Sequence, residues 1–144
     1  MRVIGVDPGT AITGWAIVEG DSDDLKMVAG GVITTAAGTP LPERLQIIYR
    51  ELTEIVNRWQ PELAAIEELF FSKNAKTALA VGHGRGAAML ALANANLSIT
   101  EYKPLEVKQA VTGYGGADKK QIQQMVGMLQ MTSPQNTLET GAVK

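Results

Sequence analysis

The chain has one amphipathic stretch, which follows three short apolar runs and precedes a fourth. This order limits the folds that the chain can adopt. Within residues 42–59 the apolar side chains recur at steps of three and four, the spacing of one face of an α-helix. Pro42 opens this stretch and Pro61 stops it. A strand, a helix and another strand in succession imply a right-handed crossover, which makes the two strands parallel neighbours.

The other segments predict the rest of a single sheet. Three runs before the helix are joined by turn sequences and predict an antiparallel meander. Strands are predicted over residues 3–6, 13–18, 27–33, 63–66 and 97–102. Further helices are predicted over residues 74–95, 104–111 and 118–129. This order predicts an α/β, RNase H-like fold: a mixed five-stranded sheet, with three antiparallel strands and then parallel strands, and helices on both faces.

Composition limits the chemistry that the chain can perform. Its 144 residues suffice for one domain, and the absence of cysteine excludes disulfides, thiolate catalysis and Cys-ligated zinc. Oxygen ligands or the single histidine, His83, would hold a metal, which favours a hard cation such as Mg²⁺. A net charge of -2 gives no global sign of a nucleic-acid partner. Without an export signal or an apolar stretch of bilayer length, we expect a cytoplasmic protein with no membrane partner.

Two acidic residues directly end two of the predicted strands. Asp7 ends the first strand and Glu67 ends the fourth, so parallel pairing would bring both carboxylates to one edge of the sheet. Two such anions repel, and one would be protonated unless a cation lies between them. Taken alone, Asp7 is better explained as a turn residue before Pro8 and Gly9, and Glu67 as a solvated strand end. Their matching positions favour a Mg²⁺ site.

Several blocks of the sequence resemble the RuvC family. They comprise residues 5–10, 13–15, 65–71 and 74–75, and later residues 107–109, 113, 119 and 124–126. The resemblance implies a metal-dependent DNA endonuclease that resolves Holliday junctions during homologous recombination and DNA repair. It also implies a homodimer that nicks two opposed strands of four-way junction DNA symmetrically, and RuvA and RuvB, the branch-migration complex, as partners.

The same resemblance assigns roles to particular residues. Asp7, Glu67 and Glu139 would be the catalytic metal ligands, holding two Mg²⁺ ions that Mn²⁺ can replace. DNA contacts are implied for Phe70, Lys73, Lys108 and Lys119. Phe70 would stack on a base at the junction centre, an interaction of about 1 to 3 kcal/mol. We expect its neighbour Phe71 to be a core or interface residue instead.

Weaker signals surround these positions. Arg44, Lys76 and Arg85 are candidates to extend a phosphate-binding face together with Lys73, although a lone basic side chain is normally just solvated. The glycines at 82, 84 and 86 lack the spacing of a phosphate loop, so we expect them to serve close helix packing. Trp15 and Trp59 are expected in the core.

The last residues depart from the family pattern. RuvC proteins continue into an aspartate-rich segment on a final helix, whereas residues 131–144 here are short and polar, with Glu139 and Ala142 at the expected acidic positions. We therefore divide the chain into an RNase H-like nuclease domain, residues 1–130, and a loose tail, residues 131–144. A shortened chain, an aberrant reading frame and a natural variant that uses Glu139 are the alternatives, and the lack of a helical pattern favours the first two.

Two other functions stay open at this point. An incomplete metal site would leave a protein that binds branched DNA without cleaving it. The sequence of residues 7–10 also resembles the first phosphate loop of actin-like ATPases and sugar kinases. Those proteins need two such domains around the nucleotide, so a chain of 144 residues would be only a fragment of one.

Overall fold

Five strands and two helices form the part of the chain that the structure describes. The computed structural model describes residues 1–21, 24–68 and 74–102. In chain order the elements are β1 (Arg2–Asp7), β2 (Ile12–Asp21), β3 (Asp24–Thr34), α1 (Leu41–Trp59), β4 (Leu63–Glu67), α2 (Ala75–Asn94) and β5 (Ser98–Tyr102). All seven were predicted from the sequence. The helices predicted over residues 104–111 and 118–129, and the tail, lie outside the described residues.

The strands form one mixed sheet in the order β3-β2-β1-β4-β5. β2 pairs antiparallel with β1 and with β3, whereas β4 pairs parallel with β1 and with β5. The first three strands are therefore the predicted meander, and α1 makes the predicted crossover from β1 to β4. This arrangement confirms the mixed five-stranded sheet of the RNase H-like fold and places β1 at its centre.

Both helices pack on the same side of this sheet. Alternate residues of β1, Ile4 and Val6, are fully buried in one hydrophobic cluster with residues of both helices. From α1 the cluster includes Ile48, Leu52 and Val56, and from α2 it includes Ala88, Ala91 and Leu92. Trp15 belongs to this core as expected, whereas Trp59 is half-buried and packs against it. Neither described helix is long and apolar enough to cross a membrane.

Helix α2 runs without interruption through its three glycines, after Asn74 caps its first turn. Among the described residues, close packing is seen at one of these glycines. A Cβ atom on Gly84 would lie 2.7 Å from the backbone nitrogen of Thr10, whereas no described atom lies within 4 Å of that position at Gly82 or Gly86. The expectation of tight helix packing is therefore confirmed for Gly84, and it stays a prediction for the other two.

Candidate active site

Asp7 and Glu67 lie side by side at the carboxyl ends of β1 and β4. The last register pair of these parallel strands joins Val6 to Ile66, and the two acids come next. Because side chains alternate along a strand, the acids project from the face opposite to the one that packs on the helices. The Asp7 side chain is close enough to affect the pKa of the Glu67 carboxyl group directly. The proximity predicted from the strand order is confirmed.

The pKa of Glu67 is raised far above its ordinary value. Burial, hydrogen bonding with Asp7 and the negative charge of Asp7 together raise it to about 8. At neutral pH Glu67 is therefore mostly protonated. A divalent cation would take the place of that proton, since it attracts both oxygens at once. The donor set fits Mg²⁺, which commonly binds through one or two carboxylates.

The loop after Asp7 is held closed by its own residues. The Thr13 hydroxyl donates to the Gly9 carbonyl oxygen at 2.7 Å and accepts from the Gly9 amide at 3.3 Å. A Cβ atom at Gly9 would come within 2.5 Å of the Ile12 carbonyl oxygen, so this position requires glycine. The turn signature of residues 7–9 thus describes a tight loop whose position relative to β1 and β2 is well defined.

Neighbouring elements hold the same loop from outside. The Thr10 hydroxyl donates to the Ala80 carbonyl oxygen in α2. The Thr35 hydroxyl donates to the Thr10 carbonyl oxygen at 2.5 Å, and its amide donates to the Ala11 carbonyl oxygen at 3.0 Å. Arg44 Nε in α1 donates to the Thr35 hydroxyl at 2.8 Å. Three separate parts of the chain therefore meet at this loop.

The three threonines of this network are unusual in their burial. Among the side chains whose burial the structure describes, Thr10, Thr13 and Thr35 are the only buried polar ones, with at most 8% of their surface exposed. No role for Thr35 is predicted from the sequence. A hydroxyl residue two positions beyond a predicted strand is a weak local signal of a hydrogen bond to the backbone, and it does not identify the partner.

A cleft of about 700 Å³ opens beside the loop, between the first turns of α1 and α2. Arg44, Lys76 and His83 line it, and none of the described residues that line it is acidic. Two of the weak phosphate-binding candidates thus share one surface. The third does not, because Arg85 forms an ion pair with Glu101 at 3.0 Å and only 15% of its side chain is exposed.

The other predicted site residues lie outside the described part of the chain. They are Phe70, Lys73, Lys108, Lys119 and Glu139. Within the described ranges, no group of three or more histidine, aspartate or glutamate side chains could hold a metal ion. The two carboxylates of Asp7 and Glu67 are therefore the part of the predicted metal site that the structure brings together.

Known proteins are similar to this chain in sequence and in fold. The model of the family "Crossover junction endodeoxyribonuclease RuvC" matches residues 3–141. The RuvC protein of Chloroflexus aggregans is 58% identical over 126 residues, covering 88% of this chain and 77% of the relative. T. thermophilus RuvC in complex with a Holliday junction substrate has a TM-score of 0.71 and 34% identity, over 76% of this chain and 69% of that one.

A second structure extends the likeness over the full length. Thermus thermophilus RuvC matches with a TM-score of 0.70 and 29% identity, covering 100% of this chain and 99% of that chain. The match therefore includes both strands that carry the acidic pair, and the family model spans Asp7 and Glu67 as well. The chain belongs to the RuvC family of crossover junction endodeoxyribonucleases.

Proposed function

We propose that this chain is a junction-resolving DNA endonuclease that acts in homologous recombination and DNA repair. The observation that carries the proposal is the Asp7 and Glu67 pair, which lies side by side at the carboxyl ends of two parallel strands. Structural neighbours include a RuvC bound to a Holliday junction substrate, which supports four-way junction DNA as the ligand here. The family match does not favour a nucleotide-binding fragment of the actin-like type.

Asp7 and Glu67 would hold Mg²⁺, or Mn²⁺ in its place. When two ions are bound in such a site, they activate a water molecule and stabilise the leaving 3′ oxygen. The protein's own part is to hold both carboxylates at fixed strand ends and to release the Glu67 proton when a cation binds. The raised pKa of Glu67 supports this role, because burial and the neighbouring Asp7 disfavour a second negative charge at a place where a cation would offset it.

Two cations require more anionic ligands than one pair of carboxylates supplies. We propose Glu139 as the third ligand, since it falls where the family places an acid beyond the nuclease domain of residues 1–130. The sequence of residues 131–144 has no helical periodicity that would predict a fixed position for Glu139, and a displacement near 1 Å can reduce a rate about a hundredfold. We therefore expect weak metal binding and slow nicking. A protein that only binds branched DNA is the second candidate.

The remaining assignments concern DNA and partners. We propose that Phe70 stacks on a base at the branch point and that Lys73, Lys108 and Lys119 contact phosphates. Symmetric nicking of two opposed strands needs two identical sites, which a homodimer with twofold symmetry provides. The RuvA and RuvB branch-migration complex would act on the same junction. A cytoplasmic location follows from this substrate.

The test measures binding and nicking separately on a synthetic four-way junction, with Mg²⁺ or Mn²⁺, beside a linear duplex of the same sequence. Asp7→Asn and Glu67→Gln should abolish nicking and keep junction binding. Glu62→Gln is the matched control, because Glu62 is an exposed acid just before β4. Nicking by Asp7→Asn at the unaltered rate would refute the proposed site. Tight junction binding by the unaltered chain without any nicking would establish the second candidate.

A further inference from the structure

The loop after Asp7 is fixed by a relay of hydrogen bonds that the proposed chemistry does not use. We propose that Thr35, supported by Arg44, is a positioning residue that holds the Asp7 carboxylate in place for metal binding. This inference rests on the proposed role of Asp7 as a metal ligand. It concerns residues that reach Asp7 only through the backbone of its loop.

The hydrogen bonds of this relay run in one direction, with Arg44 donating to Thr35 and Thr35 donating to the loop. A guanidinium group can only donate hydrogen bonds, so the contact from Arg44 Nε occupies a lone pair of the Thr35 hydroxyl. The hydrogen of that hydroxyl is thereby left for the Thr10 carbonyl oxygen, which it reaches at 2.5 Å. The backbone amide of Thr35 holds the next carbonyl oxygen, that of Ala11. Arg44 thus orients Thr35, and Thr35 holds two consecutive carbonyl groups of the loop.

Few freely rotating backbone torsion angles lie between these carbonyl groups and Asp7. Only Pro8 and Gly9 lie between Asp7 and Thr10. The ring of Pro8 fixes its φ angle, and the Thr13 hydroxyl bonds both the amide and the carbonyl of Gly9. A shift of the Thr10 carbonyl must therefore pass back along the loop to the end of β1, instead of being absorbed on the way.

A hydrogen-bond network that only stabilised the fold would affect different measurements. Loss of such a bond lowers the unfolding temperature and leaves metal affinity unchanged at temperatures where the protein is folded. Loss of a positioning contact lowers metal affinity itself, typically by about 10- to 100-fold for groups that orient ligands. Metal affinity in the absence of DNA therefore separates the two roles.

Thr35→Val is the informative variant, because it keeps the shape of the side chain and removes the hydroxyl. We expect it to weaken Mn²⁺ binding by about tenfold or more, measured as free Mn²⁺ by electron paramagnetic resonance on the full chain without DNA. Thr35→Ser keeps the hydroxyl and should restore affinity. Thr53→Val is the matched control, because Thr53 also donates to a backbone carbonyl, that of Tyr49 at 2.7 Å, inside α1.

Further variants distinguish a failure of the positioning role of Thr35 from a failure of the proposed metal site. Asp7→Asn should abolish Mn²⁺ binding, and unaltered binding by that variant would refute the proposed metal site itself. If Asp7→Asn abolishes binding while Thr35→Val matches Thr53→Val, the positioning role is wrong and the metal site stands. Should Thr35→Val fail to fold, Arg44→Met decides the question, since it leaves the Thr35 hydroxyl in place without its orienting donor. Wild-type Mn²⁺ affinity in Arg44→Met would then overturn the proposal.

Discussion

Gly84 of α2 lies so close to the loop after Asp7 that a methyl group on it would come within 2.7 Å of the Thr10 nitrogen and 2.8 Å of the Gly9 carbonyl carbon. Both neighbours are backbone atoms and cannot rotate away. The helix therefore contacts the active-site loop at a glycine, and the Thr10 hydroxyl reaches the Ala80 carbonyl oxygen in the same helix. Helix and loop must move together.

Gly84→Ala should lower the free energy of unfolding by about 1 to 3 kcal/mol, the usual cost of overpacking. Gly86→Ala is the control in the same helix, because its Cβ would meet no described atom within 4 Å. That substitution should raise stability by about 0.5 to 1 kcal/mol through helix propensity. Urea unfolding monitored by circular dichroism measures both effects, and equal stability of the two variants would contradict the close contact.

The stability of the metal-free protein should fall as the pH rises, because of Glu67. Its pKa is about 8 in the folded protein against an ordinary value of 4.5, so the folded state binds more protons between these values. The unfolding free energy then decreases as the pH rises between them. We expect the unfolding temperature to drop from about pH 5 to about pH 8, and Mn²⁺ to restore it at the upper end.

Glu67→Gln tests this origin, since the amide cannot ionise. The variant should lose most of the pH-dependent drop and most of the gain from Mn²⁺, whereas Glu62→Gln should keep both. Thermal unfolding across the pH range, with and without Mn²⁺, gives the comparison. A drop of the same size in Glu67→Gln would assign the pH dependence to another group.

Asp7→Asn should stabilise the metal-free protein while removing its function. The substitution takes away the charge that helps to raise the pKa of Glu67, so ionisation of Glu67 costs less in the folded state. We expect a higher unfolding temperature than the unaltered chain near pH 8 and no further rise with Mn²⁺. A lower unfolding temperature at that pH would show that the Asp7 carboxylate stabilises the folded protein by more than its repulsion of Glu67 costs.

Removal of the positive charge should affect DNA binding at Lys76 and protein stability at Arg85. Lys76 is exposed and lines the cleft beside the loop, so Lys76→Ala should weaken junction binding and reduce the slope of log affinity against log salt by about 1. Arg85 is committed to its ion pair with Glu101, so Arg85→Ala should lower stability and leave that slope unchanged. Fluorescence anisotropy across a salt series distinguishes the two, and identical slopes would contradict the assignment.

The sequence predicted the acidic pair because its signal is local to each strand end. Asp7 and Glu67 each follow a short apolar run, and the intervening helix fixes the parallel pairing that joins them. The pairing of Thr35 with Thr10 has no such signal, because it depends on how β3 ends beside the loop in three dimensions. The difference between Gly84 and its two neighbouring glycines likewise depends on which face of α2 meets the loop.

Residue type alone also could not distinguish between the basic residues that were candidates for phosphate binding. Arg44 and Arg85 both lie on predicted helices, and nothing in the neighbouring sequence ranks one above the other. The fold places Arg44 next to Thr35 and Arg85 opposite Glu101 on β5, so their partners come from distant segments. Such assignments require tertiary packing, which hydrophobic periodicity cannot supply.

The parallel pairing of β1 with β4 also has a consequence for how the protein is made. During synthesis, β1, β2 and β3 leave the ribosome first and can pair as an antiparallel meander that carries Asp7 but not Glu67. The proposed cation-binding pair can form only when α1 has docked and β4 has closed this long-range contact, a kind of contact that forms slowly in folding. We therefore expect a nascent or half-folded chain to lack the proposed metal site, so that nuclease activity begins together with the completed core.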